Sequence, residues 1–313
     1  MTLVSAMIPT YRRPELVGGA IEAVLAQTHR PIELIVINDG SGDETQQVLA
    51  GYEAKARRAA VDYRYIETAN GGLGAARTRA LELAHGEFLA FDDDDDPWFP
   101  RKVEQQLAAM LANPDFGVSF TQYVHEGKPD DPKPKPSQMR QGWVFASLCS
   151  GDTRAHVQTL MIARRVWEKV GGFAAYPNFM DTHFNLKASL EFQFLAVPEP
   201  LTTICTPPAT MSRAGGTEGD VKRDHIKLGV LDDFERDFGA HPRFDKVAFA
   251  TQRARIYDEH IKHLLWLGQV TEAKAAWQTS LRVCGEQPLL RKLKGKLAKA
   301  KVAGLFGRKL KKP

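Results

Sequence analysis

The stretch GEFLAFDDDDDPWFP, residues 86 to 100, decides how the rest of the chain is read: five consecutive aspartates stand between a short apolar run and a Pro-Trp-Phe-Pro segment. Two ionised carboxylates ~4 Å apart repel by ~4 kcal/mol at an effective dielectric near 20, so such neighbours need solvent, raised pKa values or a cation. An isolated acidic run is ordinarily a solvated loop. Here FLAF reads as a buried strand and PWFPRKVEQQLAAML as a helix opening with proline, which places the run inside a fold. Carboxylates at the C-terminal end of a strand in an open α/β sheet lie where such sheets bind ligands, and this favours a cation. Side chains alternate faces in extended backbone, so Asp93 and Asp95 share one side while Asp92, Asp94 and Asp96 share the other.

Strand-like and helix-like segments alternate upstream of this run. LVSAMIP, IELIVI and VDYRYIE read as strands, and residues 14 to 27, 43 to 56 and 74 to 84 as helices. Such alternation implies βαβ units with right-handed crossovers and a mostly parallel sheet. The polar insertions TYRR, NDGSGD, NGG and the aspartate run each follow a strand, so one crevice is expected to collect them.

The pattern changes after residue 120. Residues 124 to 142, rich in proline and charge, are expected to form a mobile loop or lid. VQTLMIA reads as a strand and RRVWEKV as a helix ended by Gly171 and Gly172. DTHFNLKASL reads as a helix capped by Asp181, and FQFLAVPEPLTTICT as two strands broken at Pro198 and Pro200. PPATMSRAGGTEG is expected to be a second flexible segment. From residue 221 the spacing is helical over 221 to 238, 246 to 267 and 271 to 284, with one tetratricopeptide-like hairpin turning at Gly268.

Composition narrows the class. A hydrophobic fraction of 43% over 313 residues supports a sizeable core. MTLVSAMIPTY lacks a secretory signal pattern and no window reaches ~20 apolar residues, so a cytoplasmic protein is expected, peripheral on the inner face of the membrane if it is bound there. Cys149, Cys205 and Cys284 form no CxxC pair, and free thiols are expected. The formal net charge of +4 is a property of the tail: residues 291 to 313 carry ten Lys or Arg and no acid, and without them the charge is −6. Leu290, Leu293, Leu297 and Ala300 form a helical stripe among these lysines, which suggests a basic amphipathic helix at residues 289 to 313 lying on an anionic membrane. No nucleic-acid partner is expected.

Two stretches, AMIPTYRRPELVGGAIEAVLAQTHRPIELIVINDGSGDET and NGGLGAARTRALELAHGEFLAFDDDDDPWFP, resemble the family 2 glycosyltransferases of GT-A fold. The resemblance runs over residues 3 to 112, with further pieces to about residue 205. It implies a Rossmann-like α/β sheet, a nucleotide-sugar donor with UDP favoured, an inverting single displacement and a divalent metal, Mn²⁺ or Mg²⁺. The acceptor would be a glycan or a lipid-linked acceptor of cell-surface glycan synthesis. The expected organisation is a GT-A domain at 1 to 220, with a donor half at 1 to 120 and an acceptor half at 140 to 220, followed by a helical extension at 221 to 313.

The resemblance also assigns residues. Its Asp-x-Asp-Asp-x-Trp pattern, aligned on Trp98, selects Asp93, Asp95 and Asp96. Asp93 and Asp95 are therefore the expected metal ligands on two grounds, and hard oxygen donors suit Mg²⁺ or Mn²⁺. Asp92 falls where the family carries an apolar residue, so Asp92→Leu is expected to be tolerated. Donor contacts are expected from Pro9, Thr10, Tyr11, Asp39, Asn70, Gly71, Arg77, Asp93 and Asp94, with Asp39 accepting from the base or else forming an Asx turn or cap. Asp181, after Gly171-Gly172-Phe173, is the expected base, yet Met180 stands where the family has glutamate. Trp98 is read as a sugar platform or as core, and His183, His156, Arg154 and Arg213 are left unassigned. Two alternatives stand beside this reading: a catalytically silent scaffold with the same fold, favoured by Met180, and a sugar-1-phosphate nucleotidyltransferase, whose basic Gly-rich loop PTYRRPELVG lacks.

Overall fold

The computed structural model describes residues 1 to 205, 215 to 305 and 310, and divides into two compact units, Met1–Thr206 and Pro207–Pro313. The division lies upstream of the expected boundary at 220, which falls inside a helix. Most of the segment PPATMSRAGGTEG, with Arg213, lies outside the described residues.

The first unit begins with β1 (Val4–Thr10), α1 (Pro14–Leu25), β2 (Ile32–Asn38), α2 (Thr45–Ala50), α3 (Glu53–Arg58), β3 (Val61–Glu67), α4 (Leu73–Leu83) and β4 (Phe88–Phe91). It continues with α5 (Lys102–Ala112), β5 (Phe116–His125), β6 (Lys128–Lys133), α6 (Phe145–Ser150), β7 (Leu160–Ala163), α7 (Arg164–Val170), α8 (Met180–Glu191) and β8 (Gln193–Ile204). One eight-stranded sheet has the order β3-β2-β1-β4-β7-β5-β6, with β8 paired to β5. The β3-β2-β1-β4 half is parallel, β7 is antiparallel to both neighbours, and β8 is parallel to β5. β1 and β2 are buried along their whole length, as strands covered on both faces must be.

Four expectations differ from the fold. The helix expected from Pro97 begins at Lys102, because Trp98 bridges Thr202 and Phe99 N–H donates to the Leu201 carbonyl at 2.9 Å, which keeps PWFP extended against β8. Residues 124 to 142 are not one loop: they finish β5, turn at Gly127 and return as β6. The helix expected over 43 to 56 is two, α2 and α3, parted at Gly51 and Tyr52. The segment 193 to 204 is a single strand despite Pro198 and Pro200: β8 pairs β5 along one side, the bridges on its other side lie at Phe194 and Thr202 to either side of these prolines, and a register shift beside Pro200 absorbs the missing donor.

The second unit packs α9 (Gly216–Phe238), α10 (Lys246–Leu267), α11 (Val270–Cys284) and α12 (Pro288–Leu305). Asp245 caps α10 by accepting from the N–H groups of Val247 and Ala248, and Gly268 ends it in the left-handed region at φ +82°. Trp277 Nε1 donates to the Leu290 carbonyl at 2.9 Å, tying α11 to α12. The stripe Leu290, Leu293, Leu297 and Ala300 is buried in a helix that packs on α10 and α11, so it is not the open membrane face expected from its spacing. The lysines at 292, 294, 296, 299 and 301 are exposed.

At the N-terminal edge of the sheet a buried carboxylate joins four segments. Glu33 accepts from Ser5 Oγ, from the backbone N–H groups of His85 and Gly86, and from Arg64 at 2.5 Å. Burial pushes its carboxyl up, but the Ser5, His85 and Gly86 hydrogen bonds outweigh this and hold it below its ordinary range. A depressed folded pKa adds stability above the unfolded value of about 4.3 that is lost as pH falls through the folded value. Glu33→Gln should therefore lower the melting temperature at pH 7, with the gap to wild type narrowing as scans move below about pH 4.

Candidate active site

The polar segments after β1, β2, β3 and β4 meet at the C-terminal edge of the parallel half. Asp39 follows β2 directly and its N–H donates to the Thr10 carbonyl at 2.9 Å. Its carboxylate accepts from the backbone N–H groups of Gly71 at 2.8 Å and Gly72 at 2.9 Å, while Asn70 Nδ2 donates to the Asp39 carbonyl at 2.9 Å. Gly40 makes the approach possible: it sits at φ +70°, and a Cβ there would stand 2.8 Å from Asn70 N. The capping role weighed for Asp39 belongs to Asp43, whose Oδ1 accepts from Thr45 N–H at 3.0 Å and Thr45 Oγ1 at 2.5 Å. Pro9 is buried within β1, whereas Tyr11 is exposed beneath the Arg12 guanidinium, 5.1 Å from its ring centre.

The aspartate run is not the extended segment expected: it turns at Asp94 and Asp95, with Asp96 N–H donating to the Asp93 carbonyl at 3.3 Å, although burial still alternates along it. Asp92, Asp94 and Asp96 are buried, and Asp93 and Asp95 are half-buried. Asp94 accepts from Thr10 Oγ1 at 2.7 Å and from Arg13 at 2.9 Å, and the same guanidinium reaches Asp95 at 3.0 Å. Asp93 pairs with Arg77, itself 2% exposed with its guanidinium 5.5 Å from the Phe173 ring centre. Asp96 accepts from Gln158 Nε2 at 2.6 Å and from Cys205 N–H at 2.7 Å. Burial pushes the Asp94 carboxyl up to about 6, and burial together with Asp93 pushes Asp96 up to about 8. Burial also raises Asp95, against the pull of Arg13.

The expected base is carried by a second docking. Phe173 N–H donates to Thr78 Oγ1 at 2.9 Å, one residue beyond Arg77 on α4, and a Cβ on Gly172 would lie 2.4 Å from that hydroxyl. Phe173 stacks on Phe184 of α8 at 4.4 Å and meets Phe91 edge-on at 5.3 Å. Asp181 is the second residue of α8 and half-buried. It is not the helix cap: that position is Phe179, in the left-handed region at φ +68° with no side-chain cap. Met180 is buried among the core residues, pointing away from polar chemistry.

The two half-buried carboxylates, Asp93 and Asp95, supply hard oxygen donors of the kind Mg²⁺ and Mn²⁺ take when phosphates and waters complete the shell. That arrangement fits a cation shared with a ligand. Among the described residues no group of three or more His, Cys, Asp or Glu is arranged to hold a metal alone.

Arg13, Gln158 and Lys102 were not singled out by the spacing of the sequence. Arg13 had one usable signal, its place after a strand that ends beside the acidic run. Trp98 proves to be core, with the buried Lys102 ammonium 4.1 Å from its ring centre and bonded to Gln106 at 2.7 Å. Burial drives Asp92 well above the carboxylate range and Lys102 down to about 7, and each charge opposes the shift of the other. The expectation for Asp92→Leu concerned activity, near wild type; the burial adds a cost in stability. Leucine would leave Lys102 without its counter-charge, and a loss of about 1 to 3 kcal/mol is expected by urea melt, partly recovered in Asp92→Leu with Lys102→Met.

Comparison with known proteins gives relatives over about two fifths of the chain and structural neighbours over nearly all of it. The putative teichuronic acid biosynthesis glycosyltransferase TuaG of Bacillus subtilis is 36% identical over 132 residues, 41% of this chain and 51% of that protein. The UDP-Glc:alpha-D-GlcNAc-diphosphoundecaprenol beta-1,3-glucosyltransferase WfgD of Escherichia coli is 38% identical over 119 residues, 38% of this chain and 44% of that one. The chain thus spans about half the length of these two relatives. S. aureus TarS 1-349 has a TM-score of 0.64 at 17% identity, covering 96% of this chain and 87% of its own. The mannosyltransferase PcManGT from Pyrobaculum calidifontis, solved with GDP-Man and Mn²⁺, has a TM-score of 0.63 at 19% identity, covering 95% and 80%. The fold is theirs, GT-A. The family described as Glycosyl transferase family 2 matches residues 5–176, more than half of the chain, and the chain belongs to that family.

Proposed function

We propose that the protein is an inverting, metal-dependent glycosyltransferase that moves a sugar from a nucleotide diphosphate, UDP favoured, to an acceptor hydroxyl in cell-surface glycan assembly. The observation that carries this reading is the half-buried pair Asp93 and Asp95 at the end of β4, clamped by Arg77 and Arg13, in a family 2 chain. Asp93 and Asp95 would hold the cation, which when bound supplies Lewis-acid stabilisation of the leaving diphosphate. Asp39 keeps carboxylate lone pairs beyond the two given to Gly71 and Gly72, and these accept from the base. Thr10, Tyr11, Asn70 and Gly71 lie along the nucleoside side, with Pro9 as buried support. Asp181 takes the proton of the acceptor hydroxyl as its oxygen bonds to the anomeric carbon and the diphosphate departs from the opposite face.

Two names among the comparisons support the substrate class. TarS has been solved with UDP-GlcNAc, and WfgD is named for a diphosphoundecaprenol acceptor. A lipid-linked acceptor would bring the protein to a membrane. With the apolar stripe of α12 buried, association would act through its exposed lysines, by charge rather than insertion. A silent scaffold remains the second reading, because Met180 removes the acid beside Asp181 and points into the core.

UDP-, GDP- and dTDP-sugars with Mn²⁺, all at one concentration, should separate cleanly in a thermal-shift screen, the true donor adding ~2.7 kcal/mol once it stands at about 100 times its own Kd and the others little. Turnover should be abolished by Asp95→Ala and cut by at least ~100-fold by Asp181→Asn. Equal rates in wild type and Asp181→Asn would leave the base unassigned and favour the scaffold. Sedimentation with phosphatidylglycerol vesicles should fall steeply between about 50 and 500 mM salt and should vanish with phosphatidylcholine.

A further inference from the structure

Residues 155 to 158 form a strap across the site, fixed at both ends. At one end Asn185 Nδ2 donates to the Ala155 carbonyl at 2.7 Å. Asn185 lies four residues after Asp181 and so on the same face of α8. At the other end Gln158 Nε2 donates to Asp96 at 2.6 Å, anchoring the strap to the acidic run. His156 lies between these anchors. Its ring is held from a third side by β5: Tyr123 Oη stands 3.4 Å from His156 Nε2, and the two rings meet edge-to-face at 4.9 Å. Tyr123 is held in turn by His125, edge-on at 5.4 Å.

We propose that His156 is the partner of Asp181 at the acceptor, taking the place of the second acid that Met180 does not supply. The inference rests on the glycosyltransferase reading above. With Nε2 turned to Tyr123, Nδ1 is the ring atom left to meet a ligand. A neutral imidazole protonated there donates to the acceptor oxygen while the hydroxyl proton points at Asp181. The O–H bond then breaks with its proton passing to the Asp181 carboxylate, the oxygen bonds to the anomeric carbon, and the diphosphate leaves with the electron pair of the broken C–O bond. Two further facts agree. Burial, with Arg154 and His125, holds the His156 imidazole below its ordinary range, in the neutral form this role needs, and Asp181 is the larger of the two charges acting the other way, ahead of Asp93. Met180 is buried among Phe91, Phe173 and Phe184, so no rotation of that residue returns a polar group to the site.

The test uses hydrolysis of the donor selected by the thermal-shift screen, with Mn²⁺ and water as acceptor. Nucleotide diphosphate release is measured in wild type, His156→Ala, His156→Gln, Asp181→Asn and the double variant His156→Ala with Asp181→Asn. His156→Ala should lose about 100-fold in rate while the donor-induced melting shift stays as in wild type. His156→Gln should retain part of the rate, and the double variant should be no slower than Asp181→Asn alone, because residues acting as a unit are not additive. His156→Ala hydrolysing within twofold of wild type, losses that multiply in the double variant, or a loss of donor binding equal to the loss of rate would each overturn the assignment while leaving the transferase reading intact. A wild type that binds none of the donors, or binds one without releasing product, overturns that reading and this inference with it.

Discussion

Like charge at close range is the constraint around which the donor side of the fold is built. Five neighbouring carboxylates cannot all be ionised and exposed together at ~4 kcal/mol per close pair, and a turn at Asp94 and Asp95 divides them into three that are buried and two that are half-buried. Asp92, Asp94 and Asp96 turn inward, where burial and hydrogen bonds to Thr10, Gln158 and Cys205 take them up. Asp93 and Asp95 turn outward, each under one guanidinium. Arg13 comes from the loop after β1 and Arg77 from α4, so neutralising the run obliges two separate crossovers to converge on it. The site is therefore assembled by the same interactions that make the acidic run tolerable.

Thr10 shows how tightly that convergence is coupled. Its carbonyl accepts from Asp39 and its hydroxyl donates to Asp94, so one residue at the end of β1 fixes both the Asp39 segment and the acidic run. The backbone is bent out of its easy regions beside it and beside Asp181: Arg12 follows at φ +53°, and Phe179 at φ +68° leads into the helix of Asp181. Non-glycine residues at positive φ cost of order 1 to 3 kcal/mol and persist where packing over-determines them. Here the Phe173, Phe184 and Phe91 cluster provides that packing on the acceptor side.

The donor half was legible because its information is local. Strand periodicity, the proline at the start of α1 and alternation within the aspartates each act over a few residues, and β3 and β4 have the bounds their patterns give. Features that depend on partners distant in the chain were not legible. PWFP looks like a helix start until β8 pairs with it, some hundred residues later. Pro198 and Pro200 look like strand breaks until the pairing of β8 with β5 along one side is known. Trp98 and Lys102 cannot be told from a sugar platform and a surface lysine without the burial that joins them. His156 is a lone histidine in the sequence, and it gains meaning only from Asn185, Gln158 and Tyr123, which surround its strap.

The stripe on α12 states the same limit most sharply. Leucines at i, i+3 and i+7 require that a face be covered, and nothing in that spacing distinguishes lipid from protein as the cover. What distinguishes them is whether neighbouring helices present a complementary face, and α10 and α11 do. Once the stripe is spent on the core of its own unit, the charge between its leucines changes meaning. Lysines that would have flanked an inserting helix become a face without exposed leucines, on which only polyanionic surfaces gain by binding. Charge of this kind acts within a Debye length of about 10 Å at 0.1 M salt, so it orients and concentrates the protein at a surface without committing it there. Under the proposed function, that property would suit an enzyme exchanging nucleotide-sugar with solution while a lipid-linked acceptor stays in the membrane.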